Sequence, residues 1–519
     1  MTADISDTSA IPPIMTLLSH DDYPREAVQL ENLSVKFMKQ GKFVPLSLSD
    51  DGLHIAITDP DDFTTIKALE FAFQHPVTAH QGSLDDIIDA IERLYGIHSQ
   101  SIDTIIEEAG KDISEIATGD DDDVSHLRDL AQEAPIIRLV NRLILQAVEE
   151  KASDIHFEPF EHRFRVRYRL DGLLREVESP PARLQAAIIS RIKIMAKLDI
   201  SERRRPQDGR IKLKIGDREI DFRVSTIPTH HGESLVMRIL DRESLVLDLR
   251  QLGFPEDLLE EYNTLISQPY GMILVTGPTG SGKTSTLYTT LDKINSPEYK
   301  IMTLEDPIEY QLEGINQIQV NPKIGFTFAN GLRSIVRQDP DIILVGEIRD
   351  RETADIAIQS ALTGHLLFST LHTNDAAGAV TRLLDMGVEN FLLSSTLLGV
   401  LAQRLVRVIC PTCKGPTMPD AKLIRAMQLS TEEIATTTFA AGGGCDDCRH
   451  TGYRGRTAIF EYLRVTDAIR REIHTRASTE KIRETALSQG MLTLRQDGWR
   501  KVREQITTVS EVLRVTLAA

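Results

Sequence analysis

The chain has 519 residues, of which 41% are hydrophobic, and a formal net charge of -18 at pH 7. This length predicts about three or four domains with ordinary cores. The acidic balance argues against broad attraction to nucleic acid or to an anionic membrane surface, so we expect no nucleic-acid partner.

Two segments bear on location. The stretch from Met1 to His20 contains Asp residues but no Lys or Arg, so no signal peptide is expected. The most apolar segment, Phe391–Val406, is interrupted by polar residues that include Gln403 and Arg404, and it is too short to span a bilayer. The sequence therefore predicts a soluble, cytoplasmic protein.

Residues 1–20 are predicted to be a disordered tail, and residues 21–110 a small N-terminal α/β domain. A hairpin and two helices are predicted in that domain, at Phe43–Leu48 with Leu53–Thr58, at Asp62–Phe73 and at Leu84–Tyr95. Ser83 is the predicted N-cap of the last helix. Because no catalytic constellation lies here, we interpret it as a docking domain.

Residues 111–125 are predicted to be a linker, and residues 102–118 to be helical in part. The linker contains the acidic run at residues 119–123. A metal site is the alternative interpretation of this run, but a solvated linker is favoured because such charge runs are typical of it.

Residues 126–247 are predicted to form a second, α+β domain. One helix begins near Pro135 and another spans about Ala182–Leu198. Strands are predicted at Asp154–Glu158, Arg163–Leu170, Leu173–Val177, Ile211–Ile215 and Glu219–Ser225. Arg203–Arg205 is a candidate nucleic-acid patch, but its acidic flanks and the lack of interleaved aromatics favour a solvated or interfacial loop.

From residue 248 to 519 the chain alternates strands and helices. This alternation predicts a doubly wound, mostly parallel sheet that binds ligands at the carboxyl ends of its strands. The strands are predicted at Gly271–Thr276, Lys300–Leu304, Ile315–Val320, Asp341–Gly346 and Leu366–Leu371, and the helices near Ala329–Arg337, Arg351–Thr363 and Asp375–Met386.

A phosphate-binding loop follows the first of these strands. Residues 277–284 fit the pattern G-x-x-x-x-G-K-[ST], with a strand before them and the opening of a helix after them. Backbone N–H groups would hold a polyphosphate, Lys283 would reach the β- and γ-phosphates, and Thr284 would ligate Mg²⁺. A chance Gly/Ser-rich turn is the alternative. The predicted nucleotide-binding residues are Gly277, Pro278, Thr279, Gly280, Ser281, Gly282, Lys283, Thr284 and Ser285.

Three further strand ends carry polar residues. Glu305, Asp306 and Glu309 crowd the end of the second predicted strand, Glu347 ends a Walker B-like segment, and His372 follows the last strand. Hydrolysis of a γ-phosphate needs a carboxylate to hold Mg²⁺ and its waters, and a group that positions or deprotonates the attacking water. Glu309, Glu347 and His372 are of suitable types, although each alone also suits a structural cap.

All cysteines of the chain lie in two C-x-x-C knuckles. This pattern predicts a structural, tetrahedral Zn²⁺ site within a subdomain at about residues 405–460. Disulfides are the alternative and fit poorly with a cytoplasmic chain. The predicted zinc ligands are Cys410, Cys413, Cys445 and Cys448. The remaining residues, to Ala519, are predicted to form short helices on the core.

Together these motifs resemble the secretion ATPase superfamily, which powers type II secretion and type IV pilus assembly and retraction. Within it, the chain looks most like the type II secretion ATPases, which residues 134–141 favour, and next most like the pilus-assembly ATPases. The tetracysteine element is typical of secretion and assembly members and is generally absent from retraction members. The matching segments are Gly277–Thr284, Leu304–Glu309, Val345–Asp350, Ser369–Thr373, Ala152–His156 and Arg205–Arg210.

The resemblance implies a RecA-like core assembled into a homo-hexamer, with ATP held between that core and a PAS-like second domain. By motif, Glu309 would position or deprotonate water, Glu347 would support Mg²⁺ and His372 would sense the γ-phosphate. The implied small ligands are ATP, Mg²⁺ and Zn²⁺. The N-terminal domain would bind the cytoplasmic domain of an inner-membrane secretion platform protein, which would recruit the chain peripherally to the inner membrane.

The resemblance also assigns phosphate-directed arginines to the second domain, at the positions of Arg210, Arg223 and Arg238. Within the core, Arg349 is another candidate cation, although Asp350 and Glu352 beside it could hold it in an ion pair instead. A reaction that transfers a γ-phosphoryl group usually needs such a cation beyond the phosphate loop.

Two other functional classes share the phosphate loop. A nucleic-acid motor has a similar core, but the acidic charge and the 5% of aromatic residues count against it. A small-molecule kinase would yield a phosphorylated acceptor instead of free phosphate, so product analysis separates it from a hydrolase.

Overall fold

The computed structural model describes residues 35–49, 52–95, 124–177, 179–215, 218–241 and 248–517, with six isolated positions between 18 and 33. The predicted acidic run at 119–123, the segment 102–118, the turn residues 50–51 and 216–217 and nearly all of the tail at 1–20 lie outside these residues. The described residues fall into two compact units, one reaching to Ile239 and the other beginning at Leu240 and including Asp171–Leu173 and 218–220.

The N-terminal module is a three-stranded sheet with three helices. Strands β1 and β2 pair as the predicted antiparallel hairpin, whereas β3, which was not predicted, runs parallel to β2. The Asp62 carboxylate caps α2 by accepting from the N–H groups of Thr64 and Thr65, both at 3.2 Å. The elements are α1 (Val35–Gly41), β1 (Phe43–Ser49), β2 (Gly52–Ile57), α2 (Phe63–Phe73), β3 (Val77–Gln81) and α3 (Leu84–Tyr95).

The rest of the first unit is built on a six-stranded sheet with the order β6-β5-β4-β9-β8-β7. Its last strand in sequence, β9, was not predicted, and the helix predicted at Ala182–Leu198 is shorter because a 3₁₀ turn at Ala182–Leu184 begins it. The elements are α4 (Val124–Leu130), α5 (Ala134–Glu149), β4 (Asp154–Pro159), β5 (Phe164–Leu170), β6 (Leu173–Glu176), α6 (Gln185–Met195), β7 (Gln207–Ile215), β8 (Arg218–Thr229) and β9 (Gly232–Asp241).

A buried ion pair fixes the arginine-rich loop of this unit. Lys193 is 1% exposed and donates to Glu233 Oε1 and to the Glu202 carbonyl, each at 2.8 Å. The side chains of Arg204 and Arg205 that follow remain almost fully exposed. The backbone of this loop is therefore held while its arginines are solvated.

The second unit contains a seven-stranded sheet with the order β12-β11-β13-β14-β10-β15-β18. Adjacent strands are parallel except at the edge, where β15 and β18 run antiparallel. The predicted fold class is confirmed. The strands are β10 (Gly271–Thr276), β11 (Ile301–Glu305), β12 (Asn316–Gln319), β13 (Ile342–Val345), β14 (Leu366–Leu371), β15 (Leu397–Ile409) and β18 (Tyr453–Arg464).

Helices cover both faces of this sheet because its strands alternate between two apolar clusters. Met272 and Leu274 of β10 pack on one side, whereas Ile273 and Val275 pack on the other. The predicted doubly wound arrangement follows. The helices are α7 (Leu249–Leu252), α8 (Glu256–Ile266), α9 (Lys283–Ile294), α10 (Phe328–Ile335), α11 (Arg351–Leu362), α12 (Ala376–Asp385) and α13 (Asn390–Thr396), with 3₁₀ turns at Pro322–Ile324 and Val336–Gln338.

A small subdomain lies between β15 and β18. It packs on the C-terminal helices through an apolar cluster around Phe439, Trp499 and Val512. Its elements and those helices are β16 (Lys414–Pro416), α14 (Ala421–Met427), α15 (Thr431–Thr436), β17 (Ala440–Gly442), a 3₁₀ turn at Asp446–Cys448, α16 (Asp467–His474), α17 (Thr479–Ser488), α18 (Leu494–Arg503) and α19 (Val509–Thr516). None of the described helices combines the length and the apolar character that crossing a bilayer requires.

Candidate functional site

The phosphate loop joins β10 to α9, and its geometry fits a polyphosphate. Gly280 has φ +78°, and a Cβ atom there would meet nothing within 4 Å, so its backbone borders open space. The hydroxyl oxygen of Ser281 is buried and has no hydrogen-bond partner among the described residues. A buried hydroxyl without a partner is costly, and a phosphate oxygen would satisfy it. Thr284, the predicted Mg²⁺ ligand, is exposed in the first turn of α9.

Lys283 is held inside this loop. It is 9% exposed, and its Nζ donates to the carbonyls of Gly277 at 2.8 Å and Pro278 at 3.1 Å. Burial lowers the pKa of Lys283 to about 8, and the charge of Arg404 lowers this pKa as well, whereas the charge of Glu347 raises it. Burial thus disfavours the charged ammonium of Lys283, and the negative charge of a bound polyphosphate would favour it.

The order of the strands brings the predicted residues to one edge of the sheet. Glu309 follows β11, Glu347 follows β13, His372 follows β14 and Lys283 follows β10, and these four strands are consecutive neighbours that run parallel. The Glu347 side chain is 14% exposed, and its Oε2 lies 3.5 Å from His372 Nε2. A carboxylate, a histidine and a lysine therefore share the carboxyl edge, where doubly wound sheets bind ligands.

The predicted ion-pair partners of Arg349, Asp350 and Glu352, are wrong. Its guanidinium pairs with Glu347 and not with the acidic residues that follow it. Asp350 instead caps α11 by accepting from the Thr353 N–H at 2.8 Å, and Glu352 pairs with Arg333 at 2.7 Å. The two nearest carboxylates in sequence are thus engaged by the α11 backbone and by Arg333, and Arg349 holds the Walker B carboxylate instead.

The three carboxylates after β11 have different surroundings. Glu305 is 4% exposed and accepts hydrogen bonds from Tyr288, from Thr303 at 2.5 Å and from Gln317 at 3.1 Å. It is therefore a structural anchor, whereas Asp306 is exposed and Glu309 is half-buried. Burial and the nearby Glu305 charge raise the pKa of Tyr288, so this hydroxyl stays protonated as a donor.

Sequence reasoning missed the residues of β15 that support the phosphate loop. Thr286 Oγ1 donates to Gln403 Oε1 at 2.7 Å, and a Cβ on Gly277 would lie only 2.5 Å from the Gln403 carbonyl. Arg404 beside it is 6% exposed. The available signal was the charged residue within an apolar segment, because a buried Arg in a strand needs a partner or a function.

The three second-domain arginines lie on neighbouring strands of the six-stranded sheet. Arg210 is on β7, Arg223 on β8 and Arg238 on β9, and each is next to a buried apolar residue of its own strand (Ile211, Phe222 or Met237), so all three lie on the face away from the core. Arg238 Nε is 3.3 Å from Asp154 Oδ1. The structure therefore gathers these arginines on one polar sheet face.

The four cysteines form one cluster. Their sulfur atoms all lie within 4.8 Å of one another, and none forms a disulfide. The Sγ separations of 3.9 Å for Cys410–Cys445 and 3.7 Å for Cys413–Cys448 match the roughly 3.8 Å edge of a tetrahedron with Zn–S bonds of about 2.3 Å. Gly444 and Gly452 donate N–H groups to sulfurs at 3.3 and 3.2 Å, which suits thiolates. The donor set therefore fits a tetrahedral metal.

A phosphate loop on a doubly wound parallel sheet, with carboxylates and a histidine at the neighbouring strand ends, defines a P-loop ATPase with a RecA-like core. The chain belongs to the family described as Type II/IV secretion system protein, whose sequence profile matches residues 129–514. Residues 13–101 match the profile of the MshEN domain. The chain is thus a secretion ATPase with a distinct N-terminal domain.

Named relatives agree with this assignment. The chain is 52% identical to the Type II secretion system protein E of Xanthomonas campestris pv. campestris, over 97% of this chain and 88% of that protein. It is 46% identical to the Type IV pilus assembly ATPase PilB of Myxococcus xanthus, over 91% of this chain and 83% of that protein. The crystal structure of the Legionella pneumophila ATPase DotB, 21% identical, superposes with a TM-score of 0.54 over 73% of this chain and 95% of that chain, which shows a shared fold.

Proposed function

We propose that this chain is a hexameric, cytoplasmic ATPase whose hydrolysis of ATP powers protein export through a type II secretion system. The observation that carries the proposal is the meeting of Lys283, Glu309, Glu347 and His372 at one sheet edge beside an open phosphate loop. The relative of this name is 52% identical along nearly the whole chain, which supports the choice of system.

The chain's own groups divide the work of hydrolysis. The loop N–H groups and Lys283 hold the polyphosphate, Thr284 would hold Mg²⁺ with support from Glu347, and Glu309 orients or deprotonates the attacking water. Mg²⁺, when bound, neutralises charge on the β- and γ-phosphates. His372 Nε2 lies 3.5 Å from Glu347 Oε2, and from this position His372 senses the γ-phosphate.

The reaction needs cations beyond Lys283, and the second domain offers Arg210, Arg223 and Arg238. We propose that these arginines stabilise the charge of the transferring phosphoryl group, an effect worth about 10³–10⁵ in rate for an arginine finger. Alanine at Arg210 or Arg223 is then expected to reduce turnover far more than ATP affinity, because the groups act in the transition state.

The four cysteines are proposed to hold a structural zinc ion. The N-terminal domain, which matches the MshEN profile, is proposed to dock on the cytoplasmic domain of an inner-membrane platform protein and so to recruit the chain peripherally to the inner membrane. Removal of residues 1–110 should then leave nucleotide binding intact and abolish co-sedimentation with membranes that contain the apparatus.

Measurement of specific activity against protein concentration tests the central proposal. Full-length protein should hydrolyse ATP with an activity that rises as hexamers form, whereas a fragment starting near Leu247 should bind ATP and hydrolyse it poorly. A fully active fragment, with activity independent of concentration, would contradict the hexamer and the proposed roles of the second-domain arginines.

Assembly of a type IV pilus is the second candidate function, because the Myxococcus xanthus pilus ATPase is 46% identical over 91% of this chain. Deletion of the gene separates the two candidates. Loss of exported proteins from the medium with normal surface pili supports type II secretion, and loss of pili with normal export supports pilus assembly.

A further inference from the structure

Arg404 is a buried cation that the proposed reaction does not use. It lies on β15 and is 6% exposed, and among the described residues its hydrogen bonds all go to uncharged groups. Burial lowers the pKa of Arg404, and the more distant charges of Asp375 and Glu461 only partly oppose this. A buried guanidinium without a carboxylate is expensive, so its retention needs a reason.

One end of the Arg404 guanidinium lies beside the first glycine of the phosphate loop. A Cβ atom built on Gly277 would lie 3.2 Å from Arg404 Nη1, which places the guanidinium against the first glycine of the loop. The charge of Arg404 also lowers the pKa of Lys283, which lies in the same loop as Gly277. The Arg404 guanidinium therefore fills the space on the side of Gly277 where a side chain would otherwise lie.

The other end of the guanidinium holds the loop that carries His372. Arg404 Nη2 donates to the main-chain oxygen and to Oδ1 of Asn374, both at 3.1 Å. Asn374 is two residues beyond His372, in the loop between β14 and α12. The planar guanidinium lets Nη2 donate to Asn374 while Nη1 lies beside Gly277, and a lysine ammonium cannot occupy both places.

A second tether reaches the same loop from the residue before Gly277. The Thr373 N–H donates to Thr276 Oγ1 at 3.0 Å, and the two threonine hydroxyl oxygens lie 2.8 Å apart. His372 is thus bracketed by Thr276 on one side and by Arg404, through Asn374, on the other. Both tethers begin at the base of the phosphate loop.

We propose that Arg404 is a positioning residue that couples the phosphate loop to the His372 loop, because it fills the space beside Gly277 at one end and holds Asn374 at the other. The position of His372 then follows the state of the phosphate loop. This inference rests on the proposed ATPase function, because it assigns to Arg404 the task of placing His372 for the hydrolytic step.

The test combines substitution with a double-mutant cycle. Arg404→Lys keeps the charge and loses the fork, so kcat for MgATP should fall about 10²-fold, the size expected for a misplacement of about 1 Å, with KM nearly unchanged. If Arg404 acts through His372, then adding Arg404→Lys to His372→Ala should cost no further activity, because effects of coupled residues do not add. The matched control is Arg407→Lys, on the same strand but paired with Glu511 at 2.7 Å, which should leave kcat and KM unchanged.

Two results would overturn the inference. One is a loss of kcat from Arg404→Lys that is as large in the His372→Ala background as in the wild type. The other is weakened ATP binding with an unchanged kcat, which would make Arg404 a phosphate-binding group. If Arg404→Lys does not fold, then Asn374→Ala, at an exposed position, should lower kcat in the same direction, and wild-type kcat there would also overturn the inference.

A different result would contradict the proposed ATPase function. A wild-type protein that releases no phosphate from ATP, or whose phosphate release survives Lys283→Ala, would contradict the ATPase proposal itself. Wild-type hydrolysis that needs Lys283, together with an Arg404→Lys variant that behaves as the Arg407→Lys control does, would contradict only the coupling.

Discussion

The nucleotide site and the four-cysteine cluster are two sites of one unit that are built in opposite ways. The cysteine cluster takes all its donors from two short knuckles, at residues 410–413 and 445–448, and local N–H groups support the sulfurs. The nucleotide site takes one residue from each of several strand ends, and its support comes from β15 and α9. The first site is local, whereas the second depends on the sheet.

This difference has a consequence for how each site fails. Loss of one cysteine removes a ligand and the folding free energy that a metal contributes, so the damage is to structure. Loss of one strand-end residue leaves the sheet and its apolar clusters intact, so the damage is to chemistry. A single strand, β15, joins the two regions, because it carries Arg404 in its middle and is followed at once by Cys410.

The largest expected effect on activity is at the distributed site. Lys283→Ala and Glu347→Gln should each lower steady-state phosphate release by at least about 10²–10³-fold, the cost of removing one group that stabilises the transition-state charge. Lys293→Ala, at the exposed far end of α9, is the matched control and should be silent. Release near the wild-type rate from either site variant would mean that the strand ends do not form the reaction centre.

The next expected effect is on the metal content and stability of the four-cysteine cluster. Cys413→Ser or Cys448→Ser should lose the zinc that wild-type protein carries, as measured by elemental analysis, and should unfold the subdomain, since structural zinc contributes about 10–16 kcal/mol in zinc-finger peptides. Trp499 is the only tryptophan of the chain and lies in the cluster that supports the subdomain, so its fluorescence reports this change.

Thr412→Val is the control for the cysteine variants. It lies between the two cysteines of the first knuckle and loses only an exposed hydrogen bond to Asp447, so zinc content should be unchanged. Unchanged metal content in the serine variants, or no zinc in wild-type protein, would show that the cluster is not a zinc site.

Features that are local in the chain could be predicted from the sequence, whereas contacts that depend on the sheet could not. The knuckles and the phosphate loop could be predicted because metal and phosphate binding require particular residues at fixed spacing. The parallel sheet could be predicted because its buried strands, such as β10 and β13, are continuous apolar runs. These signals are local in the chain.

The support of the nucleotide site could not be predicted in the same way. Gln403 and Arg404 resemble ordinary polar interruptions of an apolar segment until the sheet order places β15 against β10. Arg349 has acidic neighbours in sequence, yet it pairs with Glu347, because Asp350 is used to cap α11. Such contacts depend on tertiary placement, which overrides local pattern.

A smaller effect is expected at β15, the strand that joins the nucleotide site to the cysteine cluster. Glu511 on α19 is 2% exposed; burial acts to raise its pKa, but hydrogen bonds from Arg407 on β15 and from Arg514 prevail and lower the pKa from 4.5 to about 2. A carboxyl group with a depressed folded pKa stabilises the fold above its unfolded pKa. This stabilisation, about 3 kcal/mol, is lost as pH falls from about 4.5 toward 2.

Glu511→Gln should therefore lower the free energy of unfolding near pH 7, and the difference from wild type should shrink as pH falls through that window. Urea titrations followed by Trp499 fluorescence measure both. The control is Glu256→Gln, which removes an exposed pair with Arg250 and should change little. A difference that stays constant from pH 7 to pH 3 would mean that packing of the side chain, and not its charge, holds α19 on β15.

The smallest expected effect concerns Tyr288, which supports the nucleotide site without taking part in the reaction. Tyr288 on α9 is fully buried, and its hydroxyl donates to Glu305 and accepts from the Glu309 N–H at 3.3 Å. Tyr288→Phe leaves one oxygen of a buried carboxylate and one N–H unsatisfied, which should cost about 1–3 kcal/mol of stability. Because Glu309 also loses its backbone anchor, kcat should fall, with KM for ATP nearly unchanged.

Tyr262→Phe is the matched control for that prediction, because the Tyr262 hydroxyl is equally buried and lies 2.9 Å from Thr290 Oγ1 on the same helix, far in sequence from Glu309. It should lose a similar amount of stability in a denaturant titration and keep the wild-type kcat. If both variants lose stability and neither loses kcat, then Glu309 does not depend on α9 for its position. The nucleotide site would then be less distributed than its contacts indicate, and closer in kind to the cysteine cluster.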